Sequence, residues 1–91
     1  MPNSKAYSIE LSTSAFKSLQ MISRSQPKTY RRLESAIDDR KTSPYAGKRL
    51  AGPLAEFFSL RVGDYRVLYA VIETKVLVHV IDVGHRREIY R

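Results

Sequence analysis

Apolar and polar positions alternate at the start of the chain, and two stretches of helical periodicity follow. Residues 6–11 place Tyr7, Ile9 and Leu11 at every second position, which predicts a half-buried strand. Serine and threonine hydroxyls come next and suit a helix N-cap. Apolar residues then recur at helical spacing, which predicts helices over about 14–23 and 27–41. The first half of the chain therefore predicts a strand followed by two helices.

The apolar period changes to two in the second half of the chain. A glycine- and proline-containing stretch over 44–55 predicts a loop, and residues 57–62 then alternate as a strand does. Gly63-Asp64 is a two-residue hairpin signal. Residues 65–72 continue as the next strand.

The last predicted strand runs over 76–83 after a short turn, and Gly84 is expected to end it. Val78 and Val80 make it too apolar for an edge position, so it should lie inside the sheet. The order strand-helix-helix-strand-strand-strand predicts a single α+β domain over 1–91. We expect an antiparallel sheet of about four strands with two N-terminal helices on one face.

Composition narrows the class of protein. The 91 residues are 43% hydrophobic and 27% charged, which is typical of one globular domain. No apolar run approaches the length of a membrane-spanning helix, and the N-terminus lacks the apolar core of a signal peptide. The absence of cysteine excludes a disulfide framework, and two histidines are too few for a dedicated metal centre. We therefore expect a cytoplasmic protein with no metal and no cofactor.

The net charge indicates the kind of partner. Sixteen Lys and Arg against nine Asp and Glu give a formal charge of +7 and a pI near 10.0. Both halves of the chain contribute, so the charge belongs to the folded body. Such an excess favours an anionic partner: nucleic acid first, an acidic protein second and a membrane surface third. The alternative is an ordinary solvated basic surface.

Cationic side chains are predicted to meet at one end of the sheet. With the two-residue turn in place, Arg61 lies opposite Arg66, and facing like charges are destabilising unless an anion lies between them. The last strand would end beside Arg66 and bring His85 and Arg86 to the same place. Guanidinium groups suit phosphate because their five donors form a rigid fork. The alternative is that these groups extend into water or are bridged by a carboxylate.

Three further residues have candidate roles. His85 follows a glycine among arginines, and cationic neighbours favour the neutral imidazole that can accept a proton. His79 lies in mid-strand between valines, and we interpret it as a packed histidine at the edge of the core. Tyr90 could stack on a base, give its hydroxyl to the reacting group, or anchor the C-terminus.

The face that carries Arg66 is also expected to be apolar. Leu68 and Ile72 share that face by strand alternation, and two helices cannot cover both sides of one sheet. An exposed apolar patch beside a basic cleft usually marks a protein partner. Further residues expected on this face are Ala70, Leu77, Ile81 and Val83.

Two sequence runs resemble the RelE/ParE superfamily of bacterial and archaeal toxins. They are F-F-S-L-R-V-G-D-Y-R-V-L-Y-A-V at 57–71 and V-I-D-V-G-H-R-R-E-I-Y at 80–90. The G-D-Y-R-V-x-Y motif, with V-G-H-R-x-x-x-Y about 20 residues on, resembles the RelE branch in particular. The resemblance covers nearly the whole chain and implies the RelE-like fold.

The resemblance implies the toxin of a type II toxin–antitoxin pair. Such a toxin is a metal-independent endoribonuclease, an mRNA interferase that enters the ribosomal A site and is held inactive by a RelB-like antitoxin. The ribose 2′-OH attacks the adjacent phosphorus and leaves a 2′,3′-cyclic phosphate and a 5′-OH. This reaction needs a base, positive charge on the phosphorane oxygens, and an acid for the leaving oxygen.

Roles for individual residues follow from the matched motifs. Arg66 would be the transition-state clamp, and Arg86 would act similarly or as a proton donor through a neighbour. Tyr90 would stack on the substrate base or orient the 2′-OH, and His85 is the candidate base or acid. The antitoxin would cover the basic cleft and the face of Leu68 and Ile72. The expected RNA contacts are Arg61, Lys48, Arg49 and Arg87.

The sequence departs from the resembled pattern on the strand before the hairpin. Related toxins often carry lysines at the positions of Phe57 and Ser59, where they serve as base and charge stabiliser. Their absence leaves His85 or the ribosome to supply a base, or implies weaker cleavage. It also keeps a second hypothesis open: a ParE-like toxin that binds DNA gyrase and cuts nothing. A third is a simple RNA-binding module without catalysis.

Overall fold

The computed structural model describes residues 6–50 and 57–85. Within these ranges the chain forms five strands and two α-helices, so the α+β fold predicted from the sequence is confirmed. Short 3₁₀ turns follow the second helix and the fourth strand, at Asp39–Lys41 and Glu73–Lys75. The elements are β1 (Ser8–Leu11), α1 (Thr13–Ser25), α2 (Pro27–Asp38), β2 (Lys48–Arg49), β3 (Phe57–Val62), β4 (Tyr65–Ile72) and β5 (Leu77–His85).

The strands form one sheet in the order β1-β5-β4-β3-β2. Successive strands from β2 to β5 pair antiparallel. The β1–β5 pair is parallel, which corrects the expectation of an antiparallel sheet. As predicted, β5 lies inside the sheet, between β1 and β4.

The strand β2 is the fifth strand, in a segment that the sequence predicted to be loop. Lys48 pairs with Ser59 and Arg49 with Phe58, and no other residues of β2 take part. Two residues are too few to establish an apolar period, so periodicity could not reveal this strand. Its pairing with β3 fixes the directions of the Lys48 and Arg49 side chains.

The helices cover one face of the sheet and form the core with it. The side-chain oxygen of Ser12 caps α1 by accepting from the Ala15 N–H at 2.9 Å, as the hydroxyls of this segment predicted. Each fully buried aliphatic side chain contributes roughly 1.5–3 kcal/mol to folding. The buried residues of this layer include Leu19, Ile22, Leu33 and Ile37 from the helices and Val67, Tyr69, Val78, Val80 and Val83 from the sheet.

A bulge in β5 decides which residues reach the candidate site. Leu68 pairs with Asp82 and Tyr69 with Val80, so Ile81 is an extra residue on β5. The bulge turns Val83 into the helix-covered core, where it is 1% exposed, and the expectation that Val83 shares the face of Arg66 is wrong. β5 then continues through Gly84, which does not end the strand as predicted.

Candidate functional site

Arg61 and Arg66 form a directly opposed pair next to the turn that joins β3 and β4. Gly63 has φ 60°, the left-handed conformation that glycine adopts without steric cost, so the predicted two-residue turn is confirmed. Directly opposed residues share a face of the sheet, with Cβ atoms about 4.5–5.5 Å apart. The two arginine side chains therefore leave the backbone at neighbouring positions, which confirms the prediction that Arg61 lies opposite Arg66.

The Arg66 face is the one that the helices leave open. Val67, the next residue of β4, is 0% exposed in the core, so alternation directs Arg66 to the other side of the sheet. Its neighbour on β5 is Gly84, which has no side chain. In the sheet, Arg66 is therefore flanked by a second arginine on β3 and by a residue without a side chain on β5.

Lys48 adds a third cation to this open face. It pairs with Ser59, which in turn pairs with Leu68 on β4, so all three residues share the face of Arg66. The preceding residue, Gly47, donates its N–H to the Tyr69 hydroxyl at 3.0 Å. This hydrogen bond holds the start of β2 against the sheet and thereby positions the backbone of Lys48.

Arg49 belongs to the opposite face and does not join this group. It pairs with Phe58, and its guanidinium carbon lies 5.4 Å from the centre of the Phe58 ring. This is the geometry of a cation–π contact, which stabilises exposed pairs by about 0.5–1 kcal/mol. The sequence proposed Lys48 and Arg49 together as RNA contacts, but β2 directs them to different sides of the sheet.

His85 lies at the expected end of the sheet but on the other face. Because Gly84 is opposite Arg66, the next residue points to the helix side, where its ring lies 5.7 Å from that of Tyr65. The Tyr65 hydroxyl accepts a hydrogen bond from Gln26 between the two helices at 2.8 Å. The expectation that His85 lies beside the arginine pair is therefore wrong, since the sheet separates them.

Three of the predicted site residues, Arg86, Arg87 and Tyr90, lie outside the described residues. The convergence of a third guanidinium on the Arg61–Arg66 pair remains a prediction, as do the roles of Tyr90.

The apolar part of the open face is present beside the cations. Leu68 and Ile72 are half-buried and do not belong to the core that the helices form. Leu68 lies two residues along β4 from Arg66, on the same face, so apolar surface adjoins the cation pair. Leu68 and Ile72 are therefore placed where an antitoxin could contact them, and that contact stays a prediction.

His79 has a different environment from the one that the sequence predicted. It is paired in the sheet with Glu10, and its Nδ1 lies 3.1 Å from the Glu10 carboxylate. The side chain is 33% exposed, so it is not a packed core residue. Its valine neighbours take the core positions instead.

A second group of cations was not identified from the sequence. Lys28, Arg31 and Arg32 of α2 line a groove of about 680 Å³ together with Arg61 of β3. The sequence signal was the K-x-x-R-R spacing, which places these residues on one side of a helix, but a solvated polar face has the same pattern. The remaining lining residues of this α2 groove are Ser35, Ala36, Asp39, Val62 and Gly63.

In residues 6–50 and 57–85, no group of three or more His, Asp or Glu side chains has an arrangement that could hold a metal ion. In the same part of the chain, no helix is long and apolar enough to cross a membrane.

Comparison with known proteins defines the class. The model of the ParE toxin of type II toxin–antitoxin systems, parDE, matches residues 9–90. The chain belongs to this family, within the RelE/ParE toxin superfamily that its sequence resembles. It is also similar to Toxin RelG of Mycobacterium tuberculosis (strain ATCC 25618 / H37Rv), with 40% identity over 60 residues that cover 65% of this chain and 69% of RelG.

Solved structures of related toxins share the fold. The toxin–antitoxin complex RelBE2 of M. tuberculosis contains a chain that is 28% identical, with a TM-score of 0.74 over 94% of this chain and 98% of that one. The intact E. coli RelBE complex contains one that is 28% identical, with a TM-score of 0.73 over 88% and 96%. The YoeB/ParE toxin of Agrobacterium tumefaciens has a TM-score of 0.77 over 86% and 96% at 20% identity, which shows the fold alone.

Proposed function

We infer that this toxin is a ribosome-dependent endoribonuclease that cleaves mRNA in the A site and so inhibits translation in the cytoplasm. The ribose 2′-OH attacks the adjacent phosphorus, the bond to the 5′ oxygen breaks, and the products carry a 2′,3′-cyclic phosphate and a 5′-OH. The observation that carries the proposal is the Arg61–Arg66 pair on the open face, with Gly84 beside it.

The arginine pair suits the charge that develops in this reaction. Attack on a phosphodiester concentrates negative charge on the two non-bridging oxygens of the phosphorane, and cations already in place stabilise it without reorganisation. Arg66 is half-buried and Arg61 is exposed at the turn. In this proposal Arg66 binds the phosphorane directly, and Arg61 adds charge and holds the RNA backbone.

Lys48 is the candidate for the amine that related toxins carry on β3. It is the cross-strand neighbour of Ser59, one of the two positions where those lysines are missing. An amine that begins there reaches the same open face as Arg66. We assign Lys48 to the 2′-OH side of the reaction, as charge stabiliser or base, and we leave His85 outside the cleft because it faces the helices.

Two substitutions distinguish the two candidate roles of Lys48, general base and charge stabiliser. Lys48→Arg keeps the charge but cannot act as a base at neutral pH, whereas Lys48→Ala removes both functions. If the lysine is the base, both variants lose cleavage, measured in single-turnover assays on programmed ribosomes. Activity retained by Lys48→Arg and lost by Lys48→Ala assigns it to charge stabilisation alone.

An antitoxin is the expected protein partner. The family defines a toxin of a toxin–antitoxin pair, and the related M. tuberculosis and E. coli structures are toxin–antitoxin complexes. An amphipathic, acidic segment of a RelB-like antitoxin would cover the cations and the apolar surface at Leu68 and Ile72. Such a segment would block the open face and thereby prevent RNA binding.

The reaction is tested with purified toxin, ribosomes and a defined message. Cleavage in the A-site codon, with product ends that carry a 2′,3′-cyclic phosphate, is expected only when ribosomes are present. Message that stays intact at toxin concentrations that stop translation contradicts the proposal.

A second candidate function is inhibition of DNA gyrase, which the match to the ParE toxin model favours. In that case the apolar open face would bind gyrase and the arginine pair would have no chemical role. A supercoiling assay separates the two functions. Inhibition of purified gyrase by wild-type toxin and equally by Arg66→Ala, with no cleavage of message, supports the gyrase function.

A further inference from the structure

We propose that the α2 groove binds the phosphate backbone of single-stranded RNA next to the Arg61–Arg66 pair, so that substrate affinity depends on α2 as well as on the sheet. The proposal rests on the ribonuclease function proposed above and extends its substrate site. Four cations line the groove, Lys28, Arg31, Arg32 and Arg61, against a single carboxylate, Asp39.

The groove and the arginine pair are joined at the β3–β4 turn. Arg61 belongs to both, because it pairs with Arg66 in the sheet and also lines the groove. Its Nε donates to the Gly63 carbonyl at 3.1 Å, which holds the guanidinium at the turn. Arg32 reaches the same turn from α2, since a Cβ added to Gly63 would lie 3.9 Å from its Nη1. A strand of RNA held at Arg66 would therefore meet α2 directly beyond Arg61.

The α2 cations are not used for intramolecular ion pairs with the rest of the described chain. In residues 6–50 and 57–85, Lys28, Arg31 and Arg32 have no carboxylate within 4.0 Å, although Asp38 on the same helix pairs with Lys41 at 2.8 Å. All three are exposed. Unpaired like charges around one groove repel one another, and a bound anion removes that cost.

The lining of the groove favours a nucleic-acid backbone over a protein segment. An antitoxin helix or strand needs apolar anchor pockets for its buried side chains. Here the only apolar lining residues in the described chain are Ala36 and Val62. The large exposed apolar side chains of the described residues, Phe16, Met21 and Tyr45, all lie elsewhere. Positive charge with little apolar surface is the property that binds phosphates.

The test compares two double variants of the full-length toxin that lose the same charge. Arg31→Gln/Arg32→Gln changes the groove, whereas Lys17→Gln/Lys75→Gln removes two exposed lysines from α1 and from the turn at the far end of β4. Binding is measured with a 2′-O-methyl RNA oligonucleotide, which has no free 2′-OH and cannot be cut, at several salt concentrations. Thermal unfolding checks that both proteins are folded.

We expect the groove variant to bind this RNA at least tenfold more weakly than the control variant at low salt. Its slope of log K against log salt should be smaller by about 1.4, from two lost contacts at roughly 0.7 each on a single strand. On ribosomes it should need a higher toxin concentration for half-maximal cleavage, with a saturating rate within about threefold of wild type.

Two results would overturn the proposal, and a third would overturn only the ribonuclease function. Equal RNA affinity and equal salt slopes for the two double variants would show that the groove is an ordinary solvated surface. Loss of antitoxin binding by the groove variant, with RNA binding unchanged, would assign the groove to the antitoxin. If RNA binding depends on the groove but wild type cuts no message, the groove is an RNA-binding site and the proposed ribonuclease function is wrong. Failure of the groove proposal and failure of the ribonuclease proposal therefore give different results.

Discussion

At the scale of single residues, the proposed role of the opposed arginines implies a cost in stability. Like charges directly opposite one another on a sheet destabilise the pair, by a few tenths of a kcal/mol or more. Arg61 is the exposed member and makes no ion pair with the described part of the chain. If Arg61 serves to bind an anion, its charge should therefore lower the stability of the fold when no anion is bound.

Replacing Arg61 should separate the two properties. Arg61→Gln relieves the repulsion, so we expect the free energy of unfolding to rise by about 0.2–1 kcal/mol while message cleavage falls. Urea denaturation and a ribosome cleavage assay measure the two effects. A variant destabilised by more than about 1 kcal/mol would mean that Arg61 supports the fold, contrary to this account.

A tyrosine–carboxylate cluster joins three separate parts of the chain. Tyr7 before β1 and Tyr45 before β2 both donate to the same carboxylate oxygen of Glu73, Tyr7 at 2.8 Å. Hydrogen bonding to Glu73, followed by desolvation, raises the pKa of Tyr45 to about 12 and also raises that of Tyr7 above 10.0. The cluster fastens the segment that leads into β2, and hence Lys48.

This cluster predicts sensitivity to alkali. Below pH 10 both phenols are protonated in the folded and unfolded chains, so their stabilisation is fully present. Between pH 10 and about 12 the unfolded chain releases these protons first, and stability is lost as the pH rises.

Tyr45→Phe should reduce that loss, because one of the two titrating groups is removed. Urea midpoints at pH 9 and pH 11.5 for both proteins provide the measurement. Identical alkaline losses for wild type and Tyr45→Phe would show that the hydrogen bond to Glu73 does not stabilise the fold.

At the scale of elements, the short strand β2 depends on one close approach. A Cβ added to Gly47 would lie 2.5 Å from the Tyr69 hydroxyl and 3.0 Å from the Ser59 carbonyl oxygen. A core phenol and a sheet backbone cannot both move aside, so only glycine lets β2 pair here.

Gly47→Ala is therefore expected to displace β2 and with it Lys48. We predict a loss of about 1–3 kcal/mol in stability and a decrease in cleavage. Tyr69→Phe removes the nearest clashing atom, so the double variant should lose less than the sum of the single losses. Strictly additive losses in urea denaturation would mean that the Tyr69 hydroxyl does not constrain β2.

The elements differ in how far the sequence could predict them. The helices and β3, β4 and β5 have long periodic patterns and a clear turn, and they were predicted to within a few residues. β2 was missed because two residues have no period. The bulge at Ile81 was missed because alternation assumes an unbroken ladder, and this one extra residue moved Val83 and reversed the facing of His85.

The candidate site was predictable only where it depends on a local turn. The opposition of Arg61 and Arg66 follows from the hairpin alone, so the sequence predicted it correctly. The α2 groove brings together side chains more than 25 residues apart in the chain, such as Arg32 and Arg61. A local sequence pattern cannot predict that such distant residues lie close together in space. Lys48 and Arg49 were separated by a strand that the sequence did not reveal.

At the scale of the whole molecule, the α2 groove and the Arg61–Arg66 pair meet at one end of the sheet. The α2 groove lies on one side of the β3–β4 turn and the open face on the other, and Arg61 connects them. The apolar surface at Leu68 and Ile72 continues along the open face away from the turn. An RNA strand and an antitoxin would therefore compete for the open face but use different parts of it.

The predicted antitoxin contact is tested by a substitution in the apolar surface at Leu68 and Ile72 that leaves the cations unchanged. Leu68→Asp places a carboxylate on the open face, and we expect the affinity for the cognate antitoxin to fall by at least tenfold. Thr74→Asp, an exposed change at the far turn, is the matched control. Copurification and titration calorimetry measure both variants, and unchanged affinity for Leu68→Asp would place the antitoxin elsewhere.

The central claim is that Arg66 stabilises the transition state of message cleavage. The most direct test maps transcript ends on a translated message after expression of wild type, Arg66→Ala or Arg66→Lys, with folding of each variant verified by thermal unfolding. We predict breaks within codons for wild type and a cleavage rate about 10²–10³ lower for Arg66→Ala, with partial activity for Arg66→Lys. Breaks of equal intensity for wild type and a folded Arg66→Ala, or growth arrest by wild type with an intact message, would contradict the account.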